Sequence, residues 1–138
     1  VINTDNPGKR RNHQMRTCAE LLRRLSQKQG IDDDGKNILA QLVFCLRDIT
    51  DGIDESTTAW EKRGYWVKVE EFRQRWHWTH EISNALETLI INEKWDDVPK
   101  VMMELFPYFS DIKVTRFTRE ESLWQDAHAQ LLAEHDAR

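Results

Sequence analysis

Histidine and carboxylate side chains offer the first candidate chemistry in this sequence. His77 and His80 lie three residues apart, and a fold-back of the chain near Gly64 would set Asp48 and Asp51 opposite them. Imidazole and carboxylate are a common ligand set for divalent metals, so Asp51, His77 and His80 form a candidate site for a metal or small molecule. The spacing argues against it. The two histidines are three apart rather than four, and neither stretch carries the Glu-x-x-His of helical di-metal carboxylate sites. Inter-helix salt bridges and solvated charge are the plainer reading of these residues.

Nucleophilic and general acid–base signatures are missing. Cys18 and Cys45 show no CxxC or Cys/His ligand spacing and fall inside helical patterns. They are therefore expected to be reduced, buried or half-buried thiols of a cytoplasmic protein. There is no Gly-rich phosphate loop, no GxSxG and no HExxH. The five histidines, His13, His77, His80, His128 and His135, are scattered. The expectation is a protein that is not an enzyme, with no cofactor and no catalytic residue.

Two patterns suit recognition instead. Tyr65, Trp66, Phe72, Trp76 and Trp78 are interleaved with Lys68, Arg73 and Arg75, the mixture of rings and cations on which single-stranded nucleic acid stacks. Phe72, Trp76 and Trp78 also fall on apolar helical stripes, which favours core packing for them. Trp66 and Trp95, near the ends of the same stretch, are the exposed candidates for partner binding, together with Arg73 and Arg75. The second pattern is the basic face of the first helix, where Arg16, Arg23, Arg24 and Lys28 could neutralise phosphates or dock on the acidic run Asp32–Asp34. Residues 1–30 carry seven basic side chains against Asp5 and Glu20, whereas residues 31–60 carry seven acids against Lys36 and Arg47. The formal charge of −4 hides this asymmetry. If Met15 is the natural start, Lys9, Arg10 and Arg11 drop out of the basic segment. A sequence pI near 5.7 is lower than a dedicated nucleic-acid binder would show.

The elements that must position these groups read as helices. With 138 residues, five Gly, three Pro and 32% charged residues, the chain is long enough for one core and too poor in turn residues for a β-sandwich. Residues 1–11 contain Asn-Pro-Gly and no apolar period, and are expected to be a disordered tail, with 12–138 the helical domain. Helix 1 is predicted over 13–29, stopping at Gly30. Leu39, Leu42, Leu46, Ile49, Ile53, Ser56 and Trp60 form a heptad seam, and Tyr65, Val69, Phe72, Trp76, Thr79, Ser83, Leu86 and Ile90 form another. Arg63-Gly64 between them predicts a hairpin of helices 36–63 and 65–93, because glycine is a poor interior helix residue. The rival, one unbroken helix, would need a partner chain to cover it.

A second stripe, Trp78, Ile82, Ala85 and Leu89, predicts that the later arm is central. Helix 4 follows an N-cap at Asp96 or Asp97 and ends at Pro107. Ile112, Val114 and Phe117 alternate in an extended connector, and Thr118–Glu121 reads as a capping box opening helix 5 through Leu123 and Trp124. The expected fold class is an all-α, single-domain bundle of about five helices around a long antiparallel hairpin. No stretch is apolar enough to span a membrane or to form the core of a signal peptide, which fits a cytoplasmic protein.

The functional expectation is a non-catalytic helical interaction module, an adaptor or small subunit that binds a protein partner or its own copy through aromatic and charged helix faces. The first alternative is a small helical subunit of a ribonucleoprotein or DNA-bound complex that contacts the phosphate backbone through helix 1. The second alternative is the metal or small-molecule binder at Asp51, His77 and His80.

Overall fold

The computed structural model describes residues 6–138. It contains α1 (Pro7–Ser26), α2 (Asp33–Lys62), α3 (Trp66–Ile91), α4 (Val98–Leu105) and α5 (Ala127–Asp136), with three short 3-10 turns and no strand among the described residues. The chain is an all-α single domain built on the antiparallel hairpin of α2 and α3. No helix among the described residues is long and apolar enough to cross a membrane.

Local chemistry sets the helix ends. The Asn6 side chain accepts hydrogen bonds from the Gly8 and Lys9 amides at 2.9 and 3.2 Å, and Pro7 occupies the first turn, where its missing N–H costs nothing. α1 therefore starts at Pro7 and includes much of the tail expected to be disordered over 1–11; residues 1–5 lie outside the described residues. Asn-Pro-Gly, read as a turn, is here a cap followed by a helix start. At the other end α1 stops at Ser26, before Gly30. Asp32 then caps α2 through the Gly35 amide at 2.7 Å, and Asp33 and Asp34 in the first turn suit the positive end of the helix dipole.

Gly64 makes the hairpin. Its φ of +77° is the left-handed conformation that a side chain disfavours. The Gly64 amide donates to Glu61 O at 3.0 Å and the Tyr65 amide to Trp60 O at 3.1 Å, the paired bonds of a Schellman ending. The chain reverses within three residues, and the two seams meet except at Tyr65, expected in the second seam but exposed at the turn. Leu39, Leu42, Leu46, Ile49 and Ile53 on α2 are buried, as are Val69, Thr79, Ser83, Leu86 and Ile90 on α3. The polar members are satisfied: Thr50 and Thr79 share a 2.8 Å hydrogen bond across the hairpin, and the Thr79, Ser83 and Thr57 hydroxyls donate to carbonyls of the preceding turn.

The central helix is α2 and not α3. It packs against α1, α3 and α5, whereas α3 packs against α2 and α4. The run Ile38–Leu46 is apolar on nearly every side, and Ile38, Leu39, Ala40, Leu42, Val43, Cys45 and Leu46 are all buried. On α3 the second stripe is broken, since Ala85 is exposed. Arg47 of α2 ties three helices together, with one guanidinium nitrogen 2.5 Å from Glu87 of α3 and another 3.0 Å from Glu134 of α5.

The C-terminal part departs most from the sequence reading. Thr118–Glu121 is not a capping box. The Thr118 hydroxyl turns to Glu20 of α1, a 3-10 turn covers Glu121–Leu123, and α5 opens only at Ala127. Its His128 amide is capped by the Asn37 side chain of α2 at 3.0 Å. Trp124 is buried, with its indole N–H donating to Asp34 at 2.8 Å.

Cys18 and Cys45 are both free and buried, with their sulfurs 3.1 Å apart between α1 and α2. Burial pushes the Cys18 thiol well above its usual range, and the neighbouring Cys45 adds to that. Thiolate is the reactive form. Because both side chains are buried, both thiols should resist Ellman's reagent in the native protein and react fully in denaturant. Rapid labelling of either under native conditions would show that α1 and α2 open readily.

Candidate interaction surface

The basic face of α1 is spent largely on the chain itself. Glu20 of α1 is fully buried, and its carboxylate accepts hydrogen bonds from Thr118 N and Thr118 Oγ1, both at 2.6 Å. Further bonds come from Arg119 N at 3.0 Å, Arg119 Nη1 at 3.1 Å and Arg16 Nε at 2.9 Å. Arg16 also binds the carbonyls of Lys113 and Arg116, both at 2.9 Å. Arg24 donates to Arg119 O at 3.1 Å and lies over the rings of Phe117 and Trp124. Lys28 pairs with Asp32 and Asp34 at 3.2 and 3.0 Å, the docking on the acidic run that the sequence allowed. Of the four basic candidates expected on the first helix, Lys28 lies beyond the end of α1, and Arg23 alone is exposed with no side-chain ion pair among the described residues.

Sequence reasoning missed this cluster, because Glu20 and Thr118 are 98 residues apart and nothing periodic links them. The one local signal was Glu20 itself, an acid placed with Thr17 beside the apolar Cys18, Leu21 and Leu22. Its surroundings hold the carboxyl down at about 2, hydrogen bonds from Thr118, Arg119 and Arg16 outweighing the burial that would raise it. Nearby, His13 is shifted down by burial and by the Arg119 guanidinium, whose Nη2 lies 3.0 Å from His13 Nδ1.

The tryptophan-rich helix mostly packs internally. Ring centroids step from Trp60 to Phe72 at 4.9 Å, to Trp76 at 6.4 Å, to Trp78 at 6.0 Å and onto Tyr108 at 4.0 Å. Phe72, Trp76 and Trp78 are half-buried against the core, and the Arg11 guanidinium covers Phe72 and Trp76. Trp95 is half-buried as well, edge-on to His128 and under the Lys36 ammonium. Arg73 is paired with Glu61 across the hairpin, and Arg75 is exposed.

Asp51, His77 and His80 form no metal site. Among the described residues, no three His, Cys, Asp or Glu side chains are placed together to hold a metal ion. His77 turns to Glu81 at 3.0 Å and His80 to Asn84 at 3.2 Å, both within α3. Across the hairpin Arg73 pairs with Glu61, and Glu55 lies 3.7 Å from Arg10.

Two exposed apolar patches stand out among the described residues. At the hairpin tip, Tyr65, Trp66 and Val67 are 50%, 63% and 74% exposed, beside exposed Lys62, Arg63 and Lys68. At the opposite end, a groove of 350 Å³ runs between the α1–α2 loop and α4, with Leu25, Ile31, Val98, Met102, Met103 and Phe106 in its lining. Met103 and Phe106 are exposed there. Comparison of the chain with family models, curated proteins and solved structures returns no match.

The buried carboxylate makes stability depend on pH. A carboxyl whose folded value, about 2, lies below its ordinary 4.5 adds stability above pH 4.5 and loses it as pH falls towards 2. At about 1.4 kcal/mol per unit, the contribution is about 3 kcal/mol. Glu20→Gln should lower stability near neutral pH by about 3 kcal/mol and remove that part of the acid sensitivity. The check is urea unfolding of both proteins between pH 2 and 7. A constant gap between them across that range would contradict the assignment.

Proposed function

We propose that the protein is a non-catalytic helical interaction module that engages a protein partner, or a copy of itself, through the tip of its hairpin. The observation that carries this reading is the consecutive exposure of Tyr65, Trp66 and Val67 on a turn held by the Schellman bonds of Gly64. Tryptophan and tyrosine dominate the energetics of protein interfaces, because a large ring buries much area for few frozen torsions. A rigid mount reduces the ordering cost of docking further. Of the other partner-binding candidates, Trp95 and Arg73 are engaged within the chain, and Arg75 is free to form part of a rim. The non-catalytic part of the reading rests on the lack of any catalytic motif in the sequence.

A second reading, the small helical subunit of a ribonucleoprotein or DNA-bound complex, finds its support at the same tip rather than on α1. Lys62, Arg63 and Lys68 flank two exposed rings there, a combination suited to phosphates and stacked bases. The salt dependence of binding to a random single strand tests it, with a steep slope that flattens in Lys62→Glu/Arg63→Glu as the supporting result.

For the first reading, a photo-crosslinking aromatic such as benzoylphenylalanine in place of Trp66 should give discrete protein adducts. The same group in place of exposed Glu71, little more than a turn further along α3, should not. Equal yields at both positions, or none at either, would remove the tip from the interface.

A further inference from the structure

Cys18 of α1 and Cys45 of α2 are the two cysteines of the sequence, and the fold brings them to one point of the core from positions 27 residues apart. Their sulfurs lie 3.1 Å from each other. The Cys18 S–H donates to Cys45 Sγ, and the Cys45 S–H donates to the Gln14 carbonyl of α1 at 3.3 Å. A disulfide holds its sulfurs about 2.05 Å apart, so the two have only about 1 Å left to travel. Side-chain torsions and a small shift of α1 on α2 can supply that. Neither thiol takes part in the Glu20 clasp or in the hairpin tip.

We infer that Cys18 and Cys45 are a modification site, at which a peroxide converts the pair to an intramolecular disulfide that pins α1 to α2. Cys45, 5% exposed against 0% for Cys18, is the sulfur that a small neutral oxidant reaches. The same packing keeps out Ellman's reagent, which is large and doubly charged. Cys45 Sγ attacks one oxygen of hydrogen peroxide: an S–O bond forms, the O–O bond breaks, and a water leaves with the thiol proton, giving a sulfenic acid. Cys18 Sγ then attacks Cys45 Sγ: the S–S bond forms, the S–O bond breaks, and a second water leaves with the Cys18 proton. The two thiols give up two electrons, and the peroxide takes them to become two waters.

The placement of the pair decides what oxidation does to the protein. A sulfenic acid with no thiol in reach is oxidised further, and irreversibly, to a sulfinic acid. Here the resolving thiol is already in contact, so oxidation is diverted into a bond that other thiols can reduce. That bond ties α1 to α2 without help from Thr118 and Arg119, so the oxidised protein keeps its first helix in place even where the Glu20 clasp is protonated.

The test exposes the folded wild-type protein to hydrogen peroxide together with dimedone, which traps sulfenic acid, and digests it with trypsin in the absence of reductant. Met103, exposed and oxidisable, reports that enough oxidant was present. Peptides 17–23 and 37–47 should be found joined, less the mass of two hydrogen atoms, with no dimedone on either cysteine, and should separate on adding dithiothreitol. The oxidised protein should melt roughly 10 °C above the reduced one. In Cys18→Ala, shown to be folded by far-UV circular dichroism, Cys45 has lost its resolving thiol and should carry dimedone. The wild-type result stands without the variant.

Oxidised methionine beside two intact thiols would overturn the inference. So would a sulfinic acid or a dimedone adduct on either cysteine of the wild type in place of the joined peptides. A disulfide between two chains, seen as a dimer in non-reducing electrophoresis, would overturn it as well, and a joined pair that leaves the melting temperature unchanged would overturn the pinning of α1. None of these results bears on the hairpin tip, whose reading as a docking surface is tested separately at position 66.

Discussion

The arrangement of the bundle depends on one buried charge. Glu20 is fully removed from water, and an ionised carboxylate in that position is tolerable only with its lone pairs filled and a cation at hand. Thr118 and Arg119 supply both, through two backbone amides, a hydroxyl and a guanidinium, and Arg16 adds a second cation from one turn earlier in α1. A segment without regular secondary structure is thereby held on the outside of α1. The fixing of that segment accounts for Arg16 and Arg24 as well, whose remaining donors reach the carbonyls of Lys113, Arg116 and Arg119. A helix face that looks from its composition like a phosphate contact is in the main the cradle of an internal strap.

Around that constraint the packing is layered on α2. Its first half is apolar on nearly all sides and takes α1, α3 and α5 as neighbours, while its second half extends with α3 towards the tip. The buried polar residues of the α2–α3 seam are hydroxyls that bond within their own helix or across the hairpin, so they limit the register of α2 on α3 without leaving a bare donor. At the C-terminal end, Asn37 and Asp34 of α2 reach to the His128 amide and the Trp124 indole, so the start of α5 is defined by a different helix.

What could be read in the sequence was whatever depends on neighbours three or four residues away. The heptad seams, the turn at Gly64 and the exposure of Trp66 follow from local spacing and from the conformational freedom of glycine, and each is present in the structure. Other features depend on partners far along the chain. Thr118 satisfies the pattern of a capping box, yet a carboxylate 98 residues away offers its hydroxyl a stronger, charge-assisted bond. The ranking of α3 over α2 as the central helix failed for a related reason: tryptophans half-covered by one another make a helix look more buried than it is. Arg23 and Arg24 are adjacent and of one type, and only their places around α1 decide that the first meets solvent and the second meets Phe117 and Trp124. The groove at Met103 and Phe106 had no signal, since it arises between a loop and a helix that the sequence does not pair.

The strap over α1 also gives the molecule an order of assembly. The α2–α3 hairpin closes through neighbours in the chain and a three-residue turn, which makes it the cheap, early step. Glu20 must wait for Thr118 and Arg119, so the loop that joins them is among the longest in the protein and carries a correspondingly late closure. On a ribosome, α1 emerges long before Thr118 and Arg119, and its charge-bearing side is completed only once they follow. Until then Glu20 remains solvated and α1 is held by its apolar side alone. Without Thr118 and Arg119, α1 lacks the clasp on Glu20 and keeps only its apolar contacts with α2.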